Sequence, residues 1–147
     1  MKRFLFLFLM LLSCDQDAQK QHYTFIFDMD ETVVNKSSAD ILSDCQRSEN
    51  HVKTHVQNII NSALAGKIDW RESYNKLAKV LKIKRSDLEC SAKDIQNFIT
   101  DGIEGMISEI KKKKHDVFII TGGLQYNVDS VCEKLRVKKD NCFGNRL

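Results

Sequence analysis

Apolar residues along this chain fall into two spacings. Tyr23-Thr24-Phe25-Ile26-Phe27 and Asp116-Val117-Phe118-Ile119-Ile120-Thr121 are short apolar runs rich in aromatic and β-branched residues. Such runs predict buried strands, the first over about residues 23–29 and the second closed by Gly122-Gly123. Between them the period changes. Val52, Val56, Ile59, Ile60 and Ala63 recur at helical spacing, with Gly66 as a stop. Asp69 is placed to cap a second helix carrying Trp70, Tyr74, Leu77 and Leu81 on one face. Ser86 or Asp87 starts a third. Asp101 is placed to cap another, with Ile103, Met106, Ile107 and Ile110 inward. Asn127 to Lys138 predicts a helix packing through Val128, Val131, Cys132 and Leu135, and Cys142-Phe143 a short third strand. Strands alternating with helices predict an α/β fold with a parallel sheet and a helical excursion after the first strand.

The first residues form a separate object. Lys2-Arg3 precedes nine apolar residues, Phe4 to Leu12. That run is too short to span a bilayer and fits the h-region of a secretory signal. Leu11-Leu12-Ser13-Cys14 resembles a bacterial lipobox, which makes Cys14 a lipidation candidate; an ordinary signal cleaved near Ala18 is the alternative. Either reading expects an exported protein, anchored at a membrane through its N-terminus if Cys14 is lipidated. A misplaced start site would instead leave the chain cytoplasmic. Residues 1–14 are thus read as leader and lipobox and 15–22 as a polar tether. Residues 23–36 and 96–147 are read as the α/β core, and 37–95 as a helical cap.

Without Lys2 and Arg3 the chain carries 21 basic and 20 acidic residues. That balance gives no electrostatic case for nucleic acid. Lys111 to Lys114 form the one basic block, placed to complement the dipole at a helix end. Cys45, Cys90, Cys132 and Cys142 permit two disulfides or four buried thiols. No Cys-x-x-Cys spacing points to zinc. His51 and His55 share a helical face, and with no third ligand nearby they read as solvated residues.

Candidate chemistry sits where the first strand ends, at Asp28-Met29-Asp30-Glu31-Thr32. Parallel strands deliver functional groups at their carboxyl ends, and a turn starting at Asp28 lets both acids serve one site. Residues 25–34, Phe-Ile-Phe-Asp-Met-Asp-Glu-Thr-Val-Val, resemble the first motif of the haloacid dehalogenase (HAD) superfamily of phosphotransferases. Val117-Phe118-Ile119-Ile120-Thr121-Gly122-Gly123 resembles its second. Asp101-Gly102-Ile103-Glu104 and Asn141-Cys142-Phe143-Gly144-Asn145-Arg146-Leu147 are similar to segments of the phosphoserine phosphatase family.

The resemblance implies a three-layer Rossmann-like HAD core whose parallel sheet is incomplete in this sequence, with a helical cap inserted after the first strand. It also implies Mg²⁺-dependent hydrolysis of a small phosphomonoester through an aspartyl-phosphate, as for phosphoserine in L-serine biosynthesis. Asp28 would be the nucleophile and Asp30 the general acid and base. Mg²⁺ would be held by Asp28 and Asp30, phosphate by Thr121 and Gly122, and the loop oriented by Thr32. In related chains a lysine and an acid pair follow the Asn-x-Phe-x-Asn-Arg-Leu segment, so a fragment of a longer phosphatase is expected. The missing strand would also leave the apolar edge of the first strand open. The family's serine-binding glutamate and arginine fall by position near Ser37 and Leu77. That keeps another small phosphomonoester as an alternative substrate, and a non-catalytic phosphate-binding or interaction protein as an alternative class.

Overall fold

The computed structural model describes residues 21–46 and 50–146, so Cys14, the leader and most of the tether lie outside the described residues. Three parallel strands form one sheet in the order β1-β2-β3. They are β1 (Thr24–Asp28), β2 (Asp116–Leu124) and β3 (Cys142–Asn145). Thr24 pairs with Asp116 and Asp28 with Ile120, and on the other side of β2 Ile119 pairs with Cys142. Six α-helices lie among the described residues: α1 (Ser38–Cys45), α2 (Asn50–Leu64), α3 (Trp70–Leu81), α4 (Arg85–Asp94), α5 (Ile103–Lys112) and α6 (Gln125–Lys134). The α/β architecture with a helical excursion after β1 is as the alternation predicts.

One sheet face carries the core. Phe25 and Phe27 of β1, Val117 and Ile119 of β2 and Cys142 of β3 pack against Ile107 and Ile110 of α5 and Val128, Val131 and Leu135 of α6. The opposite face is apolar but open among the described residues: Ile26 is 64% exposed, Ile120 45% and Phe143 48%. Among the described residues β1 pairs on one side only, with β2.

A smaller cluster of Leu42, Val56 and Leu81 joins α1, α2 and α3, with Leu77 and Leu124 against it. α1 touches both clusters through consecutive residues, Ile41 toward the sheet and Leu42 toward the helices. α4 leans on α6, where buried Ser91 Oγ donates to buried Asn127 Oδ1 at 3.1 Å. No helix among the described residues is long and apolar enough to cross a membrane.

Several expected boundaries move. Asp69 does cap α3, its side chain accepting from Glu72 N at 2.7 Å. Asp101 does not cap α5; Gly102 holds that position at φ 85°, with no side-chain cap. Left-handed backbone there suits glycine. α6 starts at Gln125 rather than Asn127 and stops at Lys134, and α4 starts at Arg85. β2 continues through Gly122-Gly123 instead of closing there, because Leu124 pairs with Asn145 after a register irregularity. The four cysteines are joined as Cys45–Cys90, between α1 and α4, and Cys132–Cys142, between α6 and β3.

Candidate active site

The carboxyl ends of β1 and β2 face one another, and each continues into a segment that carries polar groups. After Asp28 the chain turns back on itself. Val34 N donates to Met29 O at 3.0 Å, and Glu31 takes a left-handed φ of 55°. Met29, Val33 and Val34 are fully buried. These apolar residues fill the floor of the turn and leave Asp28, Asp30, Glu31 and Thr32 toward its rim. Residues 98–100 pin the turn from outside: Asn35 N donates to Phe98 O at 2.8 Å and Thr100 N to Val33 O at 3.0 Å. Thr32 takes part through its backbone, its carbonyl accepting from Thr100 Oγ1 at 2.9 Å.

The two aspartates are held differently. Asp28 is exposed, and its carboxylate makes no hydrogen bond or ion pair among the described residues. Asp30 is partly buried and gripped at both oxygens. Ser38 N donates to Oδ1 at 2.9 Å, and Ser38 Oγ lies 3.0 Å from Oδ2 as donor. Burial raises the Asp30 pKa above the ordinary carboxylate value. The bonds from Ser38 oppose that rise, and the nearby charges of Asp28 and Glu31 add to it.

On the β2 side, Thr121 is 8% exposed and its Oγ1 accepts from Gly123 N at 2.9 Å. A Cβ built on Gly123 would fall 2.7 Å from Ser38 Oγ, 3.2 Å from Thr121 Oγ1 and 3.3 Å from Asp30 Oδ2. Glycine is therefore required at 123, and its bare Cα is the point where Asp30, Ser38 and Thr121 converge. Gly122 is exposed, and its carbonyl is taken by two donors. Tyr74 Oη donates to it from α3, and Asn145 Nδ2 donates at 2.8 Å from the end of β3. Asn145 Nδ2 also reaches Tyr74 Oη at 2.9 Å. Burial raises the Tyr74 pKa; the bond from Asn145 opposes this and the Asp30 charge adds to it. The phenol is thus kept as a neutral donor.

Asp28, Asp30, Thr121 and Gly122 accordingly lie at one end of the sheet, with Thr32 in the adjoining turn. Ser38 and Tyr74 are additions that sequence reasoning misses. The pair Ser37-Ser38 ahead of an apolar helix is a capping signal, which reveals the helix start but not what it grips. Tyr74 reads as one more apolar-face residue of α3. A hard cation could be offered oxygen donors by the Asp28 carboxylate and the Asp30 carbonyl. Among the described residues the one cluster of three metal-ligand side chains is Cys45, Cys90 and Asp94. Its two sulfurs are already joined as a disulfide.

Residues 23–143 match the family model for haloacid dehalogenase-like hydrolases. A phosphoserine phosphatase of Methanocaldococcus jannaschii is 31% identical over 130 residues, which cover 88% of this chain and 58% of that protein. A phosphoserine phosphohydrolase-like protein of Francisella tularensis superposes with a TM-score of 0.73 at 26% identity, over 84% of this chain and 58% of that one. A structure described as a phospho-aspartyl intermediate analogue of phosphoserine phosphatase gives a TM-score of 0.65 at 27% identity, over 84% and 55%. The chain spans a little over half the length of these relatives. It belongs to the haloacid dehalogenase-like hydrolases.

Proposed function

We propose that this member of the family is a Mg²⁺-dependent phosphomonoester hydrolase working through an aspartyl-phosphate. The observation that carries the reading is the unequal treatment of two acids at one strand end. The Asp28 carboxylate is exposed and without a hydrogen-bond partner among the described residues, whereas that of Asp30 is partly buried and hydrogen-bonded. Carboxyl groups in contrasting environments divide the nucleophile from the acid and base. In this reading an Asp28 oxygen attacks phosphorus, the bond to the leaving oxygen breaks, and Asp30 gives that oxygen its proton. Asp30, now a carboxylate, takes a proton from the water that attacks the aspartyl-phosphate. Phosphate leaves and Asp28 is restored.

Thr121 Oγ1 and the Gly122 N–H are assigned to phosphoryl oxygens, and Thr32 to shaping the turn. Bound Mg²⁺ would supply neutralisation of phosphoryl charge, and the Asp28 carboxylate with the Asp30 carbonyl would hold it. The named relatives support phosphoserine as the first substrate to try. A second reading, another small phosphomonoester, is favoured by Ser37 and Leu77. Ser37 Oγ is occupied as the α1 cap, accepting from Ala39 N at 3.3 Å, and Leu77 packs in the cap cluster. Neither offers the charge that an amino acid's ammonium or carboxylate would need. The two disulfides support an oxidising, exported location. The mass of the mature N-terminus would test that location and the lipidation of Cys14.

The test is phosphate release from phosphoserine, phosphoethanolamine, phosphocholine and sugar phosphates by the native protein, with Mg²⁺ and with EDTA. Mg²⁺-dependent turnover is expected. Phosphate binding without turnover of any ester would overturn the enzyme reading in favour of a binding protein.

A further inference from the structure

Asp30 is required by the proposed mechanism to alternate between carboxyl and carboxylate, and the structure places one residue against both of its oxygens. Ser38 is the first residue of α1, so its N–H has no partner within the helix. That orphan donor goes to Asp30 Oδ1, and the hydroxyl of the same residue faces Oδ2. Ser38 is 5% exposed, so water does not readily substitute for either bond. The two groups have different capabilities. A backbone N–H donates only, which fixes Oδ1 as an acceptor in either protonation state. A hydroxyl both donates and accepts. It can give its proton to an ionised Oδ2, then turn to accept from a protonated one.

The neighbourhood is shaped for this contact. Any side chain at 123 would collide with Ser38 Oγ before it reached Asp30, as the 2.7 Å approach of a built Cβ shows. Ser38 also sits on the one helix among the described residues that touches both hydrophobic clusters. Movement of the cap on α1 would therefore carry the clasp with it.

We infer that Ser38 is a positioning residue that holds Asp30 in register for proton transfer to the leaving oxygen. The inference rests on the phosphatase reading. It predicts a dependence on the leaving group, because only a poor leaving group needs the proton when the P–O bond breaks. The experiment compares kcat/KM, which reports steps up to departure of the alcohol, on phenyl phosphate and p-nitrophenyl phosphate. Ser38→Ala is expected to lower kcat/KM about tenfold to a hundredfold on phenyl phosphate, the range for losing a bond to a charged group. On p-nitrophenyl phosphate the loss is expected to stay within about threefold. Ser38→Thr, which keeps the hydroxyl, should restore phenyl phosphate turnover. Gly123→Ala, which displaces that hydroxyl without removing it, should reproduce the split if Ser38→Ala folds poorly. Asp30→Asn should show the same split, larger.

Equal losses on the two esters in both Ser38→Ala and Gly123→Ala, with the split intact in Asp30→Asn, would overturn the role of Ser38 and leave the phosphatase reading standing. Failure of the wild-type protein to hydrolyse either ester would overturn both.

Discussion

The turn after β1 and the end of β2 face each other across the site, yet they are secured by opposite means. The first stands on a buried apolar floor of Met29, Val33 and Val34 and is pinned by backbone bonds to residues 98–100. Its shape belongs to the core. The second has two successive glycines and little side chain of its own, and it is held from outside by Tyr74 of α3 and Asn145 of β3. Under the proposed function the difference separates two tasks. Reactive acids need fixed positions, which burial supplies. An anion cradle needs exposed backbone, which must borrow its rigidity. Each half also takes one contact from a helix of the cap, the first through Ser38 of α1 on Asp30 and the second through Tyr74 of α3 on Gly122, so under the proposed function cap position bears on both the acid and the phosphate.

That comparison can be broken most severely from the first side. Asp28→Asn is expected to lose about four orders of magnitude or more of phosphatase turnover, the scale for removing a covalent nucleophile. Trapping of labelled phosphoenzyme should vanish with it, while the melting temperature stays close to wild type. Asp30→Asn is expected to lose about 10²–10⁴-fold in turnover. Its effect on stability should have the opposite sign. Folded Asp30 keeps its proton to a higher pH than the unfolded chain, whose aspartates titrate near 3.8. Between those two pKa values the folded state binds more protons, so stability falls as pH rises through the window and stays lower above it. In EDTA, Asp30→Asn should therefore melt higher than wild type near neutral pH, with the gain shrinking in acid. Thermal melts across pH would check this.

The scaffold around the site can be loosened without touching either segment, in the cap at one bridge and in the core at the other. Cys45 and Cys90 are 45 residues apart and Cys132 and Cys142 are 10 apart. Loop-closure entropy makes the first bridge worth about 4 kcal/mol and the second about 3 kcal/mol. Denaturant unfolding of the Cys45→Ala/Cys90→Ala and Cys132→Ala/Cys142→Ala pairs should show that order. The smallest expected effect sharpens the comparison best. Tyr74→Phe removes one hydroxyl from the Gly122 carbonyl and should weaken binding of inorganic phosphate about fivefold, the worth of one hydrogen bond. Calorimetry would measure it. Stability near wild type in the same variant would confirm that the contact serves the loop rather than the fold.

Legibility in the sequence follows the same division. The turn after β1 is readable because its acids and its apolar floor are neighbours in the chain. The cap of α3 is readable for the same reason, Asp69 lying three residues from the N–H it satisfies. Asp101 misleads, because the backbone at the next position is left-handed and Gly102 takes the capping place. Gly122-Gly123 reads as a terminator, and only the pairing of Leu124 with Asn145 extends β2 past it. Tyr74 finds its partner 48 residues away, a distance at which helical periodicity says nothing about a hydroxyl. The cysteine pairing was open for the same reason: four thiols allow three connectivities.

The bridge between Cys45 and Cys90 has a topological consequence. It joins the end of α1 to the middle of α4, so α2 and α3 lie between its two ends in the chain. Those helices form a covalently closed ring with a single neck. A protease that cuts one peptide bond inside the ring opens it without dividing the molecule, and the nicked protein keeps its intact mass plus one water. Two pieces separate only when a reductant opens the neck.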